Sequence, residues 1–128
     1  MAGEKLSKYG YNTPGREYFQ KAITKMRLLF KNCVFLISSH DKPWVRENIS
    51  GPNVTVISEN HSAEVDLAIL TKCHHMITSV GTYSWWSGFF TEGLVIYYRY
   101  PAKDGKPLRT AYSANMNDFF LPGWMSME

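Results

Sequence analysis

Short apolar runs of strand length alternate with helix-like segments along this chain, and that alternation restricts the fold more than any other feature. The runs are CVFLIS (residues 33–38), VTVIS (54–58), the weaker HMITS (75–79) and LVIYY (94–98). A continuous run such as CVFLI belongs to a strand covered on both faces, as the strands of parallel sheets are. Between the runs lie helical patterns. Tyr18, Phe19, Ala22, Ile23, Met26, Leu29 and Phe30 recur at three- and four-residue spacing. Pro14 fits the start of that helix, and Lys25, Arg27 and Lys31 sit towards the end where the helix dipole favours cations. A short helix is expected through Trp44 and Val45, a clear one over residues 63–72, and an aromatic one over 82–91. Helix and strand in alternation with short connections predict an α/β fold: a Rossmann-like parallel sheet with right-handed crossovers, flanked by helices. Past Pro101 the pattern breaks down, with a turn over residues 103–106 and a short final element over 117–124.

At 128 residues the chain suits one domain with a real core. Residues 1–13 read as a tail or incoming loop and residues 14–128 as the folded domain. The formal charge of +3 is spread along the chain, which argues against a nucleic-acid footprint, since that needs a basic face. The first ten residues are polar, so no secretory signal is read there. The apolar runs fall far short of the roughly 20 residues of a membrane span. Cys33 and Cys73 make no disulfide framework and read as buried free thiols. Zinc is a poor fit, because Cys73, His74 and His75 are consecutive and point apart, and no metal is expected.

Ligands of open α/β sheets bind beyond the carboxyl ends of the strands. In this sequence those ends carry residues 38–41, 58–60 and 79–82, and Arg99. The most informative stretch is residues 65–90, VDLAILTKCHHMITSVGTYSWWSGFF: helix, short strand, glycine turn, second helix. Asp66 lies within a turn of its helix start. There it either complements the helix dipole or offers two oxygens to the paired N–H donors of a guanine edge, with Glu64 the competing carboxylate. Gly81 and Thr82 follow a strand and precede a helix, with Ser84 close behind. They suit either a helix cap with Thr82 as the acceptor or a phosphate cradle, because the first N–H groups of a helix lack intrahelical partners. Ser38 and Asp41 mark a second part of the rim. Asp41 also fits a cap after a strand, and His40 beside Ser39 is too local for a catalytic dyad. Asn48, Asn53 and Asn60 each begin a glycosylation sequon. If used, they put the chain in a secretory lumen.

Four stretches carry a resemblance: VFLISSHDKPWVRENI (34–49), the segment 65–90, GLVIYY (93–98) and FFLPGW (119–124). Together they resemble the C-terminal part of the α-1,2-fucosyltransferases, glycosyltransferase family 11, over nearly the whole chain from residue 10. The pattern D-x-x-x-L-T-x-C-x-x-x-I followed by G-T-[FY]-x-x-W carries most of the specificity. The resemblance implies the C-terminal, GDP-fucose-binding half of a GT-B-like enzyme. Such an enzyme inverts, needs no metal or other cofactor, and moves L-fucose from GDP-fucose to the 2-hydroxyl of a terminal galactose on a glycan acceptor. It implies guanine contact for Asp66, diphosphate contact for Thr82, and a turn shaped by Gly81 and Ser84. It also implies the lumenal side of the Golgi membrane for a full-length member. The family's H-x-R-R-G-D-Y motif, whose arginine faces the leaving diphosphate, does not occur in this sequence and would lie before Met1. Arg99 and Lys103 carry positive charge, but nothing ties them to that arginine's place, and no catalytic residue is assigned. The expectation is therefore a fragment of a longer enzyme, inactive alone. The alternative is a catalytically silent GDP-binding or protein-interaction module derived from the family.

Overall fold

The computed structural model describes residues 13–57, 61–100 and 120–128. Helix α1 (Arg16–Leu29) turns Tyr18, Ala22, Ile23 and Met26 inwards, the three- and four-residue spacing of one helical face. Glu17 in its first turn and Arg27 in its last complement the dipole. The helix begins two residues after Pro14, which is itself fully buried, and Gly15 is its N-cap. Leu29, read from spacing as part of the apolar face, is exposed.

Strand β1 (Phe35–Ile37) pairs in parallel with β2 (Val54–Val56), in the register Phe35↔Val54 to Ile37↔Val56. The crossover between them is α2 (Lys42–Asn48), which packs Val45 against the pair. Helix α3 (Ala63–Thr71) leads to β3 (Met76–Ile77), and α4 (Thr82–Phe89) leads to β4 (Val95–Tyr98). Strands β3 and β4 run parallel, and β5 (Met125–Met127) adds to the far side of β4, also parallel. The expected single sheet is thus two small parallel sheets, of two and three strands, flanked by helices.

Helix α1 unites them. Tyr18, Ala22 and Met26 pack with Ile96 of β4, while Ile23 packs with Val45 and Ile49 over β1 and β2. Ile77 touches both clusters, so side chains join what no backbone ladder does among the described residues. A third cluster, Leu70, Met76 and Val95, is closed by Trp124.

The strands are shorter than the apolar runs. Cys33 and Val34 precede the β1 ladder, and the Cys33 thiol instead points at the carbonyls of Met26 and Phe30 at the end of α1. Strand β5 was not expected. The final element read over residues 117–124 is a turn through residues 120–124, and the strand begins after it; residues 117–119 lie outside the described part, as do the turn over 103–106 and most of the N-terminal segment.

In the loop before β4, position 93 has no room for a side chain. A Cβ at Gly93 would overlap the His74 carbonyl oxygen. The next residue, Leu94, donates its N–H to His75 Nδ1 at 2.9 Å.

Candidate functional site

The carboxyl ends of β1 and β3 open towards the starts of α3 and α4. Ser62 caps α3, its Oγ accepting from Val65 N at 3.3 Å. One turn in, Asp66 points back to the rim. Its Oδ2 accepts from Ser38 Oγ, just past β1, at 3.0 Å. Its Oδ1 lies 3.0 Å from Nδ1 of His61. An ionised carboxylate only accepts, so Nδ1 carries the proton in that contact. The Asp66 side chain is 15% exposed and that of His61 32%. Glu64 is exposed on the same turn.

Tyr83, in the first turn of α4, reaches across to α3 and donates its hydroxyl to the Ala63 carbonyl at 3.0 Å. Its pKa is raised, chiefly by burial and further by the charges of Asp66 and Glu64, while the nearby Ser38 hydroxyl opposes the rise. Ser38, Asp66 and Tyr83 therefore share one local environment. This contact sets the start of α4 beside Asp66.

At that start Gly81 has φ 97°, a conformation that L side chains rarely adopt. It is the N-cap and makes no side-chain cap bond. Thr82 is the first helical residue and is exposed, so the cap role considered for it falls away: the glycine holds the position where a capping oxygen would sit. The first intrahelical bond runs from Trp85 N to Gly81 O, and the N–H groups before it have no intrahelical acceptor. Ser84 turns inwards and accepts from Ser79 N at 3.0 Å, tying the turn to the end of β3.

The other candidates have local roles. Asp41 caps α2 by accepting from Trp44 N at 3.2 Å, and its own N–H donates to Ser39 Oγ at 3.0 Å. Asn48 is half-buried and donates from Nδ2 to the Trp44 carbonyl at 2.9 Å, so a glycan on that nitrogen would have to leave by the one N–H position that this bond does not use. Asn53 is exposed in the turn before β2, with φ 57°. Asn60, the rim stretch 58–60 and Lys103 lie outside the described residues. Arg99 is exposed, 3.7 Å from Glu128 and over the ring of Tyr100. Cys33 and Cys73 are free and half-buried, and burial raises the Cys73 thiol pKa. His75 stacks on Phe30, centroids 3.8 Å apart.

Sequence reasoning missed His61 and Tyr83. His61 precedes the Ser62 cap and Asp66 is the fourth helical residue, the pair of positions that a hydrophobic staple joins. In this helix a histidine and a carboxylate fill them. That relation was the available signal. For Tyr83 none existed, because its partner Ala63 lies twenty residues away on another helix.

Residues 4–128 match glycosyl transferase family 11. The chain is 28% identical over 117 residues to galactoside alpha-(1,2)-fucosyltransferase 2 of Sus scrofa, covering 88% of this chain and 34% of that protein. Against the Mus musculus protein of the same name the identity is 32%, covering 88% of this chain and 33% of the relative. The galactoside 2-alpha-L-fucosyltransferase Sec1 of Mus musculus is 26% identical, with coverages of 88% and 31%. The chain thus spans about a third of the length of these relatives. No solved structure matches it.

Proposed function

The chain belongs to glycosyl transferase family 11, and from that premise we propose that it is the GDP-fucose-binding part of a galactoside α-1,2-fucosyltransferase. Residues 14–128 form its donor domain, the Rossmann-like C-terminal half of a GT-B-like enzyme. One observation supports this above all: the Asp66 carboxylate points to the rim from the first turns of α3, and Tyr83 ties the start of α4, where no side chain caps the helix, to Ala63 at the start of the same α3. A carboxylate suits the N1–H and N2–H donors of guanine, and helix N–H groups suit the diphosphate. Thr82 meets the diphosphate, and Gly81 and Ser84 shape the turn.

The reaction is a single displacement with inversion. The galactose 2-hydroxyl oxygen bonds to C1 of fucose, the bond from C1 to the phosphate oxygen breaks with its electron pair going to GDP, and the hydroxyl proton passes to a base. Negative charge grows on the departing diphosphate, and donors aimed at it lower the barrier. The α4 start supplies part of that stabilisation. The remainder, with the acceptor site, belongs to the two-thirds of the enzyme that the relatives carry beyond the matched region. This chain alone binds GDP weakly and transfers no fucose. The working place of the whole enzyme is the Golgi lumen, where, of the sequons at Asn48, Asn53 and Asn60, the exposed one at Asn53 is the more accessible of the two among the described residues. Among the described residues no helix is long and apolar enough to cross a membrane.

Titration calorimetry of the chain with GDP and with ADP tests the reading. GDP is expected to bind more tightly. Equal heats, or none, remove the guanine role of Asp66, and fucose transfer by the isolated chain overturns its dependence on a larger enzyme.

A further inference from the structure

Both oxygens of Asp66 already accept one hydrogen bond from their own chain. Ser38 Oγ approaches Oδ2 at 3.0 Å from the end of β1, and His61 Nδ1 approaches Oδ1 at 3.0 Å from the residue before the α3 cap. The donors come from separate elements and take different oxygens, so between them they hold the carboxylate's rotation and tilt. A carboxylate has about four acceptor positions. One remains on each oxygen, and the side chain is still 15% exposed.

We propose that Ser38 and His61 are positioning residues that lock the Asp66 carboxylate in the plane needed to accept two neighbouring N–H donors of a base edge at once. This rests on the reading that Asp66 meets guanine. Bidentate recognition is demanding in geometry, and a binding group is effective when a second layer of hydrogen bonds fixes its rotamer. An unheld aspartate in the first turn of a helix would sample several rotamers, and most of them present one oxygen only. The nearby charged and titratable groups are Glu64 on the same turn and the Tyr83 hydroxyl on α4. Neither supplies the fixing bonds. Glu64 has no donor, and the Tyr83 hydroxyl donates to Ala63.

Comparing GDP with IDP isolates the geometry. Hypoxanthine keeps N1–H and lacks the 2-amino group, so the GDP/IDP affinity ratio reads the second hydrogen bond. A merely structural role leaves that ratio unchanged. Calorimetry on the full chain is expected to give GDP about tenfold tighter than IDP, the scale of one hydrogen bond to a charged group. Ser38→Ala and His61→Ala should each reduce the ratio by about threefold or more, by loosening that same bond. His61→Asn returns an N–H near the Nδ1 position and should keep most of it. Ser38 is half-buried, so Ser38→Cys, which fills similar space with a weaker donor, is measured too, and thermal unfolding of every variant confirms that it is folded. If Asp66→Ala abolishes the ratio while the Ser38 and His61 variants keep the full value, the positioning roles are overturned and the guanine reading stands. If Asp66→Ala keeps the ratio, or GDP gives no heat, the guanine reading itself fails and this inference with it.

Discussion

The Tyr18 hydroxyl donates to the backbone carbonyl of Thr78 at 2.5 Å across 60 residues of sequence. The bond pins α1 to the residue after β3, on the segment that leads to Gly81. Burial strongly raises the Tyr18 pKa, so the group stays a neutral donor. Tyr18→Phe keeps the edge contacts with Phe19 and Tyr98 and leaves a buried acceptor without this donor. The expected cost is about 1–3 kcal/mol, read from urea unfolding midpoints. A change below about 0.5 kcal/mol, the usual range for surface substitutions, would show the bond to be dispensable.

Gly93→Ala is expected to destabilise at the upper end of about 1–3 kcal/mol or beyond. The new Cβ meets the His74 carbonyl oxygen, and backbone cannot move aside as a flexible side chain does. Relieving the overlap pulls Leu94 N away from His75 Nδ1 and disturbs the entry to β4. A thermal midpoint equal to wild type would contradict the close approach.

His75 makes stability depend on pH. Its pKa is lowered, first by burial and then by His74, and Nδ1 is already an acceptor for Leu94 N. The native state therefore favours the neutral ring. As pH falls below the unfolded value of about 6.5, the unfolded chain takes up a proton before the folded one does. Stability from this group is complete above that pH and is lost as pH drops from there to the lower folded value. Unfolding midpoints at pH 7.5, 6.5 and 5.5, set experimentally around that value, should fall more steeply for wild type than for His75→Asn. Parallel slopes would assign the pH dependence elsewhere.

The two acidic residues of α3 should separate cleanly. Asp66→Ala is expected to lower GDP affinity by about tenfold or more, and Glu64→Ala by less than about threefold. Glu64 is exposed, whereas Asp66 is held at the rim by Ser38 and His61. Calorimetry giving the reverse order would name the wrong carboxylate. A companion variant probes the helix start. Thr82→Pro suits the first helical position, so the fold should survive, yet it deletes one N–H donor. It should weaken GDP while leaving guanosine binding unchanged, and equal losses for both ligands would remove the diphosphate role.

The α/β class and every α-helix of the described residues were legible in the sequence, because apolar periodicity is local. The inward face of α1 needs only Tyr18, Ala22 and Met26 at their spacing, and Asp41 announces the helix it caps. Family membership was legible as well, in the residues around Asp66 and Thr82. Pairing between distant segments was not. Met125–Met127 carries little strand signal and becomes β5 because β4 offers it a free edge. That the two sheets are joined through α1, which packs on both, is a packing outcome that no window of sequence contains. The candidate site divides the same way. Its carboxylate, its glycine turn and His61 stand close together in sequence, but the second partner of Asp66, Ser38, comes from just past β1, and the Tyr83 bridge joins two helices. Local spacing determines which residues share a face. Only the packed chain decides which faces meet, since that depends on contacts whose partners are far apart in sequence.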